Sequence, residues 1–156
     1  MDFSILKKII DHNNFAVCES FDNWESAIRA SVRPFINNGL VKEAYADRVV
    51  EMVHEYGPYI CICPHVAIPH AMAPELILTK EPVISFMKVN QPVAFSDKPY
   101  EQAELFFALA TPSSEQHLEE LQVLVHLLEQ EGVIEKLLEA KTRADFETLL
   151  EKGVND

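Results

Sequence analysis

Four short apolar runs in the middle of the chain constrain its fold more than any other feature: YICIC (59–63), PVISFMKV (82–89), PVAF (92–95) and AELFFALATP (103–112). They are rich in β-branched and aromatic residues, which fit a pleated, packed surface. The pattern predicts buried strands of one sheet.

Around these runs the spacing is helical. Phe3, Leu6, Ile9 and Ile10 mark a brief first helix that stops at the polar DHNN, after which FAVCES (15–20) reads as an early strand. Asp22 with Glu25 resembles a capping box, and Trp24, Ile28, Val32 and Phe35 carry an apolar stripe towards NNG at 37–39. Pro34 is expected to kink this helix or end it early. A further helix over 42–56 should stop at YGP, with Gly57 as its left-handed cap.

The last third is again helical. Ser113 or Ser114 is the expected cap of a helix with Leu118, Leu121, Leu124, Val125 and Leu128 on one side. Gly132 breaks it, VIEKLLEA resumes, and Thr142 opens a final helix through Leu150. There is no repeat, low-complexity stretch or linker. With 156 residues, 48% of them hydrophobic, the expectation is a single domain over 1–156, a layered α/β fold whose sheet is covered by helices.

Charge excludes one class of function. A formal net charge of -12, with 13 Lys and Arg spread along the chain, does not suit a nucleic-acid binder, which needs clustered cations to neutralise phosphates. An anion would have to be held locally, by backbone N–H groups or a few placed side chains. Three cysteines, Cys18, Cys61 and Cys63, and no leader-like opening point to a reducing cytoplasm. No apolar run approaches the ~20 residues that a membrane-spanning helix requires.

The chemistry of the chain rests on its six histidines. His12, His54 and His126 fall in polar or outward-facing helical positions and read as solvated rings. His117 lies in the first turn of its helix, on the leucine side. There the unpaired N–H groups and the positive end of the helix dipole favour a bound anion and a neutral imidazole. His70 follows Pro69 at the end of an apolar stretch, beside small Ala71, where loops at strand ends present reactive groups. The stretch ICICPHVAIPHA (60–71) also permits a metal reading: Cys61, Cys63 and His65 alternate and would share a strand face, with His70 nearby. Against it, structural zinc sites favour C-x₂₋₄-C turns, and buried cysteine commonly acts as a small hydrophobe. Cys61 and Cys63 are therefore assigned to the sheet core.

Two separated strings, YGPYICICPHVAIPHAMAPE (56–75) and LATPSSEQHLEELQVLVHLL (109–128), resemble the enzyme IIA component of the bacterial sugar phosphotransferase system. Within the mannitol/fructose superfamily they are most similar to its ascorbate-type branch, and the similarity runs over nearly the whole chain. The resemblance implies a three-layer α/β/α fold with a mixed sheet and a cytoplasmic phosphocarrier without a cofactor. It implies that His70 accepts a phosphoryl group from the phosphohistidine of HPr, at the tele nitrogen, and passes it to a cysteine of a IIB component. The membrane IIC component would be served only indirectly, and a homodimer is left open. His117 would be the second histidine that assists transfer. The sequence departs from the ascorbate pattern at Met72, where those proteins carry Arg, and at His65, where they carry Gly. Mannitol-type and nitrogen-regulatory relatives often place an Arg upstream, where this chain offers His54 and Arg48. His65 is accordingly an auxiliary candidate for contacting the phosphate. Two alternatives remain: a regulatory IIA-like module, and a metal-binding domain built on Cys61, Cys63, His65 and His70.

Overall fold

The computed structural model describes residues 2–154. Its centre is a five-stranded mixed sheet in the order β1-β5-β6-β3-β2, formed by β1 (Phe15–Cys18), β2 (Cys61–Cys63), β3 (His65–Ala67), β5 (Phe86–Ala94) and β6 (Gln102–Phe106). The pairs β1/β5 and β3/β6 are parallel, whereas β5/β6 and β2/β3 are antiparallel. Two further strands, β4 (Val83–Ile84) and β7 (Leu109–Ala110), pair only with each other. The expectation of one sheet is corrected here. The runs 82–89 and 103–112 each change partner midway, and the break between β4 and β5 falls at Ser85. Its N–H donates to the Ala108 carbonyl and its hydroxyl to the Ser31 carbonyl.

The alternation of side chains along the strands explains the three layers. Val66 and Ile68 enter one core while Ala67 enters the other; Leu105, Phe107 and Leu109 alternate with Phe106, Ala108 and Ala110 in the same way. Successive side chains of a strand point to opposite faces, so a sheet apolar on both must be covered twice. Helices α2 (Trp24–Asn37) and α3 (Ala44–Tyr56) cover one face through Ile28, Val32, Phe35, Tyr45 and Val49. The other is covered by α1 (Ser4–Asp11), α4 (Ser114–Glu129), α5 (Val133–Glu139) and α6 (Arg143–Val154), with Leu6, Leu124, Leu137 and Phe146 fully buried. Each such large apolar side chain contributes about 1.5–3 kcal/mol on burial.

Several local expectations shift. The cap of α2 is Asn23, one residue later than expected, and its side chain accepts from the Ser26 N–H. Pro34 lies inside α2, which runs on to Asn37. A proline so near the end forfeits one bond to the preceding turn, and Phe35, fully buried beside it, gives the last turn a packing reason to continue. The two runs read as separate strands at 82–89 and 92–95 contribute to one strand, β5. Pro92 is tolerated because the ladder to β6 loses register between Lys88 and Val93, so no N–H is needed there. Strand β3 escapes the sequence pattern because its three residues lie between Pro64 and Pro69. On α4, Leu118 is exposed rather than part of a core stripe. Gly57 ends α3 with φ 81° and donates to the Val53 carbonyl; Gly132, also at φ 81°, turns the chain from α4 into α5.

Candidate functional site

His70 and His117 are 47 residues apart in sequence, yet their rings lie 4.8 Å apart, centroid to centroid, with planes inclined by 47°. Parallel pairing brings them together. Strands β3 and β6 run side by side, and both chains leave the sheet at the same end: β3 through Ile68 and Pro69 to His70, β6 through β7 to Thr111 and the start of α4. The Leu109 N–H donates to the Pro69 carbonyl at 2.9 Å, tying the two exits together. Crevices outside the carboxyl ends of parallel strands are the usual ligand positions of α/β sheets.

The His70 loop is held by two tyrosines. The Tyr45 hydroxyl, on fully buried Tyr45 of α3, donates to the Leu109 carbonyl at 2.8 Å and accepts from the Ala71 N–H at 3.1 Å. Tyr59 donates to the His70 carbonyl at 2.5 Å, and its ring meets the imidazole edge-on at 5.3 Å. Burial pushes the Tyr59 hydroxyl up to about 12, so it stays a donor. Tyr59 lay within the quoted motif without a role assigned to it; Tyr45 gave no signal beyond its place on an apolar helix face.

Ring chemistry follows from the partners. His70 Nδ1 is 2.6 Å from the Ile68 carbonyl oxygen. A carbonyl only accepts, so Nδ1 carries the proton and Nε2 keeps its lone pair. Burial holds the His70 imidazole below its ordinary proton affinity, against the opposing pull of the Ile68 carbonyl. His117 is likewise lowered, first by burial and then by the neighbouring His70. Both rings are therefore neutral near pH 7. His117 opens α4, whose cap Ser113 accepts from the Gln116 N–H at 3.3 Å, and the first turn of a helix presents N–H groups to an anion.

His65 is elsewhere. It begins β3, at the opposite end of the strand from His70, and its Nδ1 is 3.0 Å from Glu104 Oε2. Its φ of 77° lies in the left-handed region that favours glycine, because a bulge interrupts the β3/β6 register between His65 and Val66. This end of β3 is not the end that carries the His70–His117 pair. Cys61 and Cys63 do not share a strand face either: a register shift separates them on the edge strand β2, and Cys61 packs against one core and Cys63 against the other. Among the described residues no three His, Cys, Asp or Glu side chains converge to hold a metal ion. His54 pairs with Glu25 at 3.5 Å and stacks near Trp24, and Arg48 pairs with Glu75 at 3.3 Å. His12 and His126 are exposed.

Residues 8–153 match the family described as the phosphoenolpyruvate-dependent sugar phosphotransferase system, EIIA 2. The chain belongs to this PTS EIIA family. It is 30% identical over 140 residues to the ascorbate-specific PTS system EIIA component of Mycoplasma pneumoniae, covering 89% of this chain and 85% of that protein. The solution structure of the mannitol-specific cryptic enzyme IIA of Escherichia coli superposes with a TM-score of 0.77 at 26% identity, over 92% of this chain and 98% of that one. The Escherichia coli mannitol enzyme IIA, solved in complex with phosphorylated enzyme IIB, shares the fold at a TM-score of 0.74 and 20% identity, over 89% of this chain and 94% of that one. PTS EIIA components are phosphotransferases, and the α/β/α fold with its mixed sheet is that of the mannitol-type members. Among the described residues no helix is long and apolar enough to cross a membrane.

Proposed function

We propose that this PTS EIIA protein is a phosphocarrier that takes a phosphoryl group from phospho-HPr on His70 Nε2 and delivers it to a cysteine of a cognate IIB protein. The observation that carries the reading is the pairing of His70 with His117 at 4.8 Å, with the Nδ1 proton of His70 held by the Ile68 carbonyl. In the first step the Nε2 lone pair attacks phosphorus in line, the donor N–P bond breaks, and its electron pair returns to the donor nitrogen. The phosphorylated His70 ring carries positive charge, which the Nδ1–H bond to Ile68 stabilises. In the second step a thiolate forms the S–P bond as the His70 N–P bond breaks. Such a transfer asks mainly for positioning and for stabilisation of the equatorial oxygens, which His117 and the N-terminal turn of α4 supply without a metal.

The similarity to an ascorbate-specific component and the IIB complex of a fold relative support a carrier in sugar uptake, ascorbate among the candidate substrates. The protein should become labelled when incubated with enzyme I, HPr and radiolabelled phosphoenolpyruvate. His70→Ala should abolish the label; an unlabelled wild type defeats the reading, and a labelled His70→Ala defeats the assignment. His117→Ala should still accept phosphate and pass it on slowly to the Cys-bearing partner.

A further inference from the structure

Thr111 closes β7's exit from the sheet and precedes the turn into α4. Its residue is only 6% exposed, and its Oγ1 lies 3.3 Å from His117 Nδ1, its one hydrogen-bond partner among the described residues. The contact has two readings. Either Nδ1–H donates to the hydroxyl oxygen, or the hydroxyl donates to a bare Nδ1. The first leaves a buried hydroxyl hydrogen with no acceptor, which costs free energy; the second satisfies the hydroxyl. A threonine hydroxyl turned to Nδ1 puts the imidazole proton on Nε2.

We propose that Thr111 is a positioning residue for phosphoryl transfer: its hydroxyl donates to His117 Nδ1, fixes the Nε2–H tautomer and aims that N–H at the phosphoryl group on His70. The inference rests on the phosphocarrier reading and deepens it. The two facing rings then carry opposite tautomers. His70, with its proton on Nδ1 against the Ile68 carbonyl, offers Nε2 as a lone pair; His117, with Nδ1 capped by Thr111, offers Nε2 as a donor. One ring forms the bond to phosphorus while the other stabilises an equatorial oxygen, and neither has to exchange a proton between steps. A ring held by a hydrogen bond on its far nitrogen also keeps its orientation, as histidines with a second partner do at metal sites.

The test combines ring ¹⁵N NMR of the unphosphorylated protein with transfer kinetics from radiolabelled phospho-HPr. In the wild type His117 should show a protonated Nε2 and a bare Nδ1, and His70 the reverse. Thr111→Val, which keeps the shape, should shift the His117 Nδ1 signal towards that of an unbonded nitrogen. It should also lower kcat for transfer about tenfold, the equivalent of one hydrogen bond's ~1.4 kcal/mol, with KM for phospho-HPr unchanged. Thr111→Ser should restore both signal and rate. A His117 protonated on Nδ1, or a Thr111→Val variant with wild-type kcat, overturns the proposal. A wild type that takes no label overturns the phosphocarrier reading instead, and the NMR result still decides the role of Thr111 in setting the tautomer.

Discussion

The two histidines of the ICICPHVAIPHA stretch, His65 and His70, have opposite relations to their backbone. His65 is at φ 77°, where an L-residue costs roughly 1–2 kcal/mol relative to glycine, and its compensation is a half-exposed hydrogen bond to Glu104. Exposed pairs contribute about 0–1 kcal/mol. The strain is the larger effect, so His65→Gly should leave stability unchanged or raise it by up to about 1 kcal/mol in urea unfolding, with phosphoryl acceptance unaltered. A loss of labelling in that variant would return His65 to the site. For His70 the prediction concerns pH. Burial lowers its proton affinity below the ordinary 6.5, so acceptance from phospho-HPr should stay flat as pH falls through 6.5 and decline only below it. An acid limb centred at or above 6.5 in single-turnover kinetics would contradict this.

At the level of elements, the His70 loop is an irregular segment made rigid by groups from α3 and β7. Tyr45→Phe removes the hydroxyl that serves both the Leu109 carbonyl and the Ala71 N–H, leaving buried polar groups without partners. Stability should fall by about 1–3 kcal/mol in urea unfolding, and labelling of His70 should slow as the loop loosens. This clamp also marks the limit of what the sequence conveys. His70 and His117 were legible because reactive imidazoles stand out by residue type, by the Pro before one and by the helix start beneath the other. Tyr45 was not, since its ring follows the apolar period of α3 and only the fold shows where its hydroxyl points. The helices were readable from their 3,4 spacing, with the cap of α2 misplaced by one residue because Asp22 and Asn23 are both competent caps. The strands were readable as apolar runs but their partners were not. Changes of partner at Ser85 and after β6, and the bulges beside His65 and Pro92, depend on contacts between distant segments.

For the molecule as a whole, the lowered proton affinities of His70 and His117 link the site to global stability. The unfolded chain binds protons on these rings near pH 6.5 while the folded protein does not, so the unfolded state is favoured as pH falls through that region. Urea midpoints should therefore drop on acidification from about 6.5, before carboxylates near ~4 titrate, and level off once the folded rings protonate. His70→Ala should flatten part of that decline; an unchanged slope would contradict the linkage. The parallel β3/β6 pairing has a kinetic counterpart. It joins segments nearly 40 residues apart through a long crossover that includes β5, and such non-local closures are slow steps in folding. The facing imidazoles thus come into register only when this non-local pairing has closed. Their coupled ring signals would serve as a clock for that closure, and a nascent chain would be inert to a phosphoryl donor until that moment.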